Sequence, residues 1–192
     1  MDDRTRLYIY AFLSRVFTEE LDDKAIADLA SNDELLKTIG EETFEWFSKR
    51  DKESIREELN IDYNSLFVVH NHPIESSVMD SKNEILVGLQ NPVMQFYFSR
   101  GYDLNLESSK LYVPDHAGIE FGFVQSMISQ NDIMAQAEFL HDHLVRWIVP
   151  FLLAVKPMAT TPFYRDLCDF TVEFLLSDYT LLKERTGDAD AR

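Results

Sequence analysis

The sequence contains very little cysteine: Cys168 is the single one among 192 residues. One thiol excludes an intrachain disulfide, as expected in a reducing compartment, and it excludes the multi-cysteine spacings of zinc fingers. Because Cys168 lies within a helical pattern, we expect it to be a small buried hydrophobic residue and not a nucleophile.

Glycine and proline are also scarce, with six of each, and no segment alternates apolar and polar residues between turn signals. This argues against a β-sandwich. The Gly-x-Ser-x-Gly nucleophile elbow and the glycine-rich phosphate loop are absent too. These residues therefore offer no credible catalytic set, and we expect no cofactor.

No hydrophobic run is long enough to cross a bilayer; the longest reads WIVPFLLAV. The first residues, MDDRTRLYIYAFLSR, lack the basic n-region and the small-residue cleavage site of a signal peptide. We therefore expect a cytoplasmic protein without stable membrane insertion.

Basic residues are few: 18 Lys and Arg stand against 34 Asp and Glu, for a formal charge of −16. A field of this sign repels nucleic acid and anionic membranes and favours basic partners. Solubility alone is the simpler interpretation of the same charge, so the acidic surface does not by itself identify a ligand.

Helical periodicity, by contrast, runs through most of the chain. It predicts a helix over about residues 3–18 and shorter helices in LDDKAIADLA and SNDELLKTI, with Asp or Ser at their starts. A further helix should begin at Pro92 and end before Gly101. Longer helices are predicted over roughly 132–154, where Pro150 should kink or end the helix, and from Thr161 to about Arg185. The predicted fold class is all-α.

We expect a single helical-bundle domain over residues 1–192, with a smaller N-terminal and a long-helix C-terminal subdomain. The segment 99–113, which contains RGYDLNLESSK, has no periodic stripe and is the predicted hinge between them. The polar tail 186–192 should fray. Because hinges permit exchange of elements between copies, a monomer or a domain-swapped dimer is expected.

Glu138 and His141 have the Glu-x-x-His spacing with which di-iron bundles bind metal. A second copy of the motif is missing, so we expect no metal site. The pairs His70/His72 and His141/His143 are expected to be solvated or capping histidines. A metal-binding helical-bundle enzyme is therefore only the weaker alternative for function.

The stretch LYVPDHAGIEFGF places Pro114, Asp115 and His116 before a predicted helix. Proline suits the first helical position and an acid suits the first turn, where it meets the positive end of the helix dipole. His116 would then lie beside Asp115 on an exposed rim. This interpretation explains the proline and the acid but not the histidine, so a functional cluster stays open as the alternative.

Several motifs along residues 4–180 resemble one known family. RLYIYAFLSRVF resembles its opening helix, DYNSLFVV matches its Tyr-x-x-Leu-Phe element, and HPIESSV resembles its Pro-x-Glu-Ser segment. VPDHAGIEFGFV matches its Pro-Asp-His signature, and AEFLHDHLVRWIVPFL and PFYRDLCDFTVEFLL resemble its last two helices. The family is that of the TorD/DmsD chaperones of molybdenum enzymes, with the NarJ group as more distant relatives.

The resemblance implies a cytoplasmic, all-helical chaperone without enzymatic activity. It would bind the twin-arginine signal peptide or the apo form of a molybdopterin-containing oxidoreductase, and hold it until the cofactor is inserted and before export. Its partners would be this leader and the catalytic subunit. Two arginines and an apolar segment call for carboxylates and an apolar groove. A general helical adaptor for another basic amphipathic segment shares the acidic surface and is the alternative.

The peptide-binding residues that the resemblance implies are Pro114, Asp115, His116, Tyr63, Leu66, Phe67, Glu75 and Glu120. Asp115 would accept an arginine, and His116 would add a hydrogen bond or a pH-sensitive contact. Apolar residues at the spacing of Tyr63 and Phe67 are more often core residues. Acids such as Glu75 and Glu120 are usually only solvated.

Overall fold

The structure, a computed structural model, describes residues 1–80, 84–102 and 113–187, and the regular secondary structure of these residues is helical. The α-helices are α1 (Asp3–Thr18), α2 (Asp23–Ala30), α3 (Asp33–Ile39), α4 (Glu41–Ser48), α5 (Lys52–Asn64), α6 (Glu75–Met79), α7 (Pro92–Ser99), α8 (Ala117–Ser129), α9 (Ile133–Phe139), α10 (Val145–Val155) and α11 (Pro162–Thr186). Two π-helical turns, Ser65–Val69 and Leu140–Leu144, extend α5 and join α9 to α10. Single 3₁₀ turns lie at Gly88–Gln90 and Lys156–Met158. The all-α prediction is confirmed.

Local sequence explains most helix starts. The side chains of Asp22, Asn32, Asp51 and Asp132 each accept the backbone N–H three residues on, which satisfies a donor that the helix itself leaves free. The predicted Asp at the start of α2 is therefore confirmed, whereas α3 is capped by Asn32 and not by Ser31, which is the C-cap residue of α2. Gly101, just past α7, has a φ of 72°, a left-handed conformation that favours glycine.

Pro150 is expected to kink or end its helix, and it does not end it, because α10 continues through this residue to Val155. A proline inside a helix removes one hydrogen bond and costs about 3 kcal/mol. The side chains of Trp147, Ile148 and Leu152 around it are fully buried, and the burial of their apolar surface offsets that cost.

The chain divides into two compact units. The first unit comprises Met1–Thr18, Pro73–Val149 and Leu175–Arg192, and the second comprises Glu19–His72 and Pro150–Phe174. Each unit combines segments that are distant in sequence. The predicted hinge at 99–113 lies largely outside the described residues, as does the tail from residue 188. The predicted subdomain division therefore stays a prediction.

In the first unit, α1 packs along α8. The ring of Phe121 lies 5.5 Å from that of Phe17 and 6.3 Å from that of Tyr10, measured between centroids. The hydroxyl of Ser14 donates to the carbonyl of Gly118 at 2.7 Å. A Cβ atom at residue 118 would lie 2.1 Å from the Thr18 hydroxyl, so this close approach of the two helices requires glycine.

The second unit has an aromatic core around Tyr164. The rings of Tyr63 and Phe67 pack on it, with centroids 6.2 and 5.7 Å away. Asp62, fully buried in α5, accepts the N–H of Thr161 at 2.8 Å and its hydroxyl at 2.6 Å, just before α11 begins. The carboxylate of one helix therefore fixes the start of another.

A carboxylate from α11 also begins α4, whose N-cap is Gly40 and lacks a side chain. Asp166 accepts the backbone N–H of Thr43 at 3.0 Å and its hydroxyl at 2.8 Å. A Cβ atom at Gly40 would lie 2.1 Å from the Asp166 carboxylate, so glycine gives this long-range cap its room. Among the described helices, none is both long and apolar enough to cross a membrane.

A buried ion pair ties the two ends of the chain together within the first unit. Arg6 donates to both carboxylate oxygens of Asp178, at 2.5 and 3.0 Å, and the hydroxyl of Tyr10 donates to the same carboxylate at 2.8 Å. Arg6 is 1 % exposed and Asp178 is fully buried. The packing of α1 against α11 therefore depends on a paired charge.

Replacement of Asp178→Asn should destabilise the protein, because it leaves the Arg6 guanidinium buried without its main counter-charge. We expect a loss of about 3–5 kcal/mol in the free energy of unfolding, measured by urea denaturation. Glu45→Gln, which breaks the exposed pair with Lys49, is the control and should leave the urea midpoint unchanged. Equal midpoints for Asp178→Asn and the wild type would contradict the structural role of this pair.

Candidate functional site

The Pro-Asp-His element begins a helix, but in a different register from the one expected. Helix α8 starts at Ala117, and His116 is its N-cap, with Nδ1 accepting the N–H of Gly118 at 3.2 Å. Pro114 and Asp115 precede the helix and are not its first turn. His116 is 8 % exposed, so the expectation of an exposed rim is wrong. The histidine that sequence reasoning left unexplained is therefore the capping residue.

Asp115 begins a second helix, α6, whose own N-cap residue, Ile74, has no capping side chain. Oδ2 of Asp115 accepts the N–H of Ser76 at 2.8 Å, and the backbone carbonyl oxygen of Asp115 accepts the N–H of Glu75 at 2.9 Å. A short antiparallel bridge between Ile74 and His116 holds the two segments together. Asp115 is fully buried, and its Oδ1 has no hydrogen-bond partner among the described residues.

Glu75, the first residue of α6, contacts the buried side chain of His143. Nδ1 of His143 lies 3.0 and 3.2 Å from the two carboxyl oxygens of Glu75. Their side chains are 10 % and 13 % exposed. His143 belongs to the π-helical turn Leu140–Leu144, a distortion that often occurs at functional sites. The expectation of a solvated or capping histidine is therefore wrong for His143.

Glu120, one turn into α8, is a buried carboxyl group. Its Oε2 accepts the indole N–H of Trp147 at 3.0 Å, while Oε1 finds no donor among the described residues. Burial, followed by the negative charge of Glu75, raises the pKa of Glu120 well above its ordinary value. Burial of the Glu120 carboxyl group therefore favours its neutral form.

Tyr97 of α7 is a further member of this buried cluster. Its hydroxyl donates to the carbonyl of Pro114 at 3.1 Å. Burial, followed by the negative charges of Glu120, Asp115 and Glu75, raises the pKa of Tyr97 well above its ordinary value. The phenol therefore serves as a neutral donor that fixes the loop in front of α8.

A cleft of about 220 Å³ opens onto two of these acids. It is lined by Glu75, Ser76, Met79, Asp80, Leu86, Asn91, Pro92, Val93 and Asp115. The acidic side chains and the apolar wall suit a cationic group on an apolar stem. We call this the acidic cleft.

Of the predicted site residues, the structure brings Pro114, Asp115, His116, Glu75 and Glu120 together in the first unit. Tyr63, Leu66 and Phe67 belong to the core of the second unit and are 5 %, 0 % and 3 % exposed. Packing is the role this structure gives to these three, and their part in peptide binding stays a prediction.

Sequence reasoning missed Tyr97, His143 and Trp147 as members of the cluster. A signal existed for two of them, because Phe139, His143 and Trp147 follow one another at i, i+4 spacing on one apolar face. A polar residue in such a stripe indicates a buried partner. The partner itself, Glu75, is 68 residues away and could not be read from local spacing.

The other candidates have structural roles. Glu138 pairs with Arg100, and Nδ1 of His141 lies 2.5 Å from the hydroxyl of Tyr179. Within the described residues, no group of three or more His, Cys, Asp or Glu side chains could hold a metal ion. Cys168 is buried as expected; burial and the nearby charge of Asp169 raise its pKa to about 12.

Comparisons with known proteins give a consistent result. Residues 18–152 match a family model described as nitrate reductase delta subunit. A chaperone protein TorD from Shewanella pealeana is 25 % identical, over 92 % of this chain and 89 % of the relative. Another from Shewanella piezotolerans is 23 % identical, over 92 % and 91 %. No solved structure matches the chain significantly.

Glu120→Gln should stabilise the protein at neutral pH. A raised pKa in the folded state means that stability is greatest below the ordinary value of 4.5 and is lost as the pH rises through the folded value. Glutamine stays neutral and keeps the hydrogen bonds, so the variant should melt higher at pH 7 and like the wild type near pH 4. Each kcal/mol gained should raise the melting temperature by about 2–4 °C.

The matched control is Glu184→Gln, the same chemical change at an exposed position of α11. It should leave the melting temperature unchanged across this pH range. A pH profile of Glu120→Gln that runs parallel to the wild-type profile would show that Glu120 is ionised in the folded protein.

Proposed function

The chain belongs to the nitrate reductase delta subunit family, to which the TorD chaperones are assigned, and we propose that it is a cytoplasmic chaperone for the maturation of a molybdoenzyme. The family model covers residues 18–152, well over half of the chain. The prediction of a protein that is not an enzyme is confirmed by membership of a chaperone family. The partner that this function requires is the catalytic subunit of a molybdopterin-containing oxidoreductase.

We propose further that the protein binds the twin-arginine leader of this client, and that the acidic cleft receives an arginine. The observation that carries the proposal is the uncompensated Oδ1 of Asp115, in a fully buried residue that lines the cleft beside Glu75. A guanidinium offers five donors in a planar fork that matches carboxylates. One arginine would supply the hydrogen bond that Asp115 lacks.

The surroundings of the cleft suit the apolar part of a leader. Met79, Leu86 and Val93 line it. The neighbouring segments carry exposed apolar side chains, which are Val78, Met79, Ile85, Val87, Leu89 and Phe98. Exposed apolar side chains that lie close together often mark a surface that a partner covers. An extended segment in which arginines are followed by apolar residues would match this surface, with its arginines at the acids and its apolar part against the apolar side chains.

The biological consequence would be a checkpoint. A leader held by the chaperone is withheld from export, and release after cofactor insertion would let only a complete enzyme leave. A general adaptor for basic amphipathic segments would also use the acidic cleft, but it would tolerate any cation. Replacing the arginines of the peptide by another cation therefore distinguishes a leader-binding chaperone from a general adaptor.

Calorimetric titration of the full chain with a synthetic twin-arginine leader tests the proposal. Asp115→Asn should weaken binding about 10- to 100-fold, because a hydrogen bond to a charged group contributes roughly 1.5–3 kcal/mol. Asparagine Oδ1 still accepts the N–H of Ser76, so the cap of α6 and the fold are kept. The affinity should also fall as salt rises.

Two controls make the result specific. Asp28→Asn, an exposed acid on α2, should leave the affinity unchanged. Leaders with both arginines changed to lysine or to alanine should bind progressively more weakly. Equal binding of the lysine and arginine peptides would favour the general adaptor. If the leader does not bind at all, leader binding is not part of the function.

A further inference from the structure

One part of the wall of the acidic cleft has no regular secondary structure. Residues 84–87 form this part, and their backbone N–H and C=O groups need partners from outside a helix. Leu86 lines the cleft and is half-buried, whereas Ile85 and Val87 on either side of it are exposed. Leu86 is therefore the residue through which this segment contributes to the cleft, and its position depends on what holds its backbone.

Side chains of the cleft itself hold this backbone. The hydroxyl oxygen of Ser76 accepts the N–H of Leu86 at 3.0 Å, and Nδ2 of Asn91 donates to the carbonyl of Leu86 at 3.0 Å. The carboxylate of Asp80 accepts the N–H of Glu84 at 3.2 Å. Three of the five polar residues that line the cleft are thus engaged in holding its wall.

Both side chains that hold Leu86 belong to residues at helix starts. Asn91 is fully buried, and its Oδ1 accepts the N–H of Val93 at 2.9 Å as the N-cap of α7. Ser76 is also buried, and its own N–H donates to Oδ2 of Asp115 at 2.8 Å. Ser76 therefore contacts the carboxylate through its backbone and the apolar wall through its side chain, which fixes the separation between the two.

We infer that Ser76 is a positioning residue for specificity: it holds Leu86 at a fixed separation from Asp115, and the cleft thereby selects segments in which an apolar side chain lies at a fixed distance from an arginine. The inference deepens the proposed function, because it takes the leader and its arginine as ligand from there. The polar lining residues that remain for the guanidinium are Glu75 and Asp115.

The length of an extended chain makes this selection measurable. Two residues of extended chain span about 7 Å. Two glycines inserted between the arginines and the apolar segment of a leader therefore move either the arginine away from the carboxylates or the apolar side chain away from the wall. The return of one buried apolar side chain to water corresponds to a loss of about tenfold in affinity.

The test is calorimetric titration of the full chain with two variants of the synthetic twin-arginine leader. One carries two glycines between the arginines and the apolar segment, and the other carries them after the apolar segment, as a control of equal length. For the wild type we expect the internal insertion to bind about tenfold more weakly than the control peptide. In Ser76→Ala the backbone N–H still donates to Asp115 but Leu86 loses its anchor, so the two peptides should bind nearly equally.

Two further variants separate hydrogen bonding from packing. Ser76→Cys has a side chain of similar size whose thiol is a weak acceptor, so it should lose the discrimination as the alanine variant does. Ser48→Ala removes an exposed hydroxyl group from α4 and should keep the discrimination of the wild type.

Three outcomes overturn the inference and leave the proposed function standing, because the leader binds in each of them. They are equal binding of the two peptides to the wild type, discrimination that persists in Ser76→Ala, and discrimination that returns in Ser76→Cys, which would assign it to packing. A leader that does not bind the wild type in any form is the separate failure of the proposed function, and it removes the inference with it.

Discussion

The candidate site depends on the two hydrogen bonds by which Asp115 holds the start of α6: its carbonyl oxygen accepts the N–H of Glu75, and its carboxylate accepts the N–H of Ser76. They fix the start of α6, and thereby the direction in which Glu75 enters the buried cluster. Asp166 at the start of α4 and Asp62 before α11 use the same device within the second unit. In each case a carboxylate from a distant segment satisfies N–H groups that the helix leaves free.

This way of starting helices accounts for part of the acidic excess of the chain. Long-range caps place acids inside the protein, where each is neutralised by backbone dipoles and not by a base. At α6 this kind of cap places two acids close together, because the capping residue, Asp115, and the first residue of the helix, Glu75, both carry carboxyl groups. The fold therefore brings Glu75 and Asp115 to the same cleft, with the ring of His143 against Glu75 and the N–H of Ser76 donating to Asp115.

The sequence predicted the helices well because their signals are local. The caps of α2 and α3, the proline at the start of α11 and the glycine after α7 all act within a few residues. The same signals misplaced the start of α8, because Pro114 and Asp115 have the composition of a first turn, while their partners are Tyr97 and the start of α6. The acidic character of the site was predictable; its burial was not. Burial depends on His143, Trp147 and Tyr97, which reach the cluster from three further elements.

The single thiol of Cys168 can report the opening of the core of the second unit. Cys168 is 1 % exposed, and with a pKa of about 12 it has almost no thiolate at neutral pH. It reacts with an alkylating reagent only in the moments when the surrounding helices separate. Because the chain contains no other cysteine, the rate at which one adduct accumulates reports the opening of this core alone. The native sequence thus carries its own reporter of how often this core opens, with no label to be engineered.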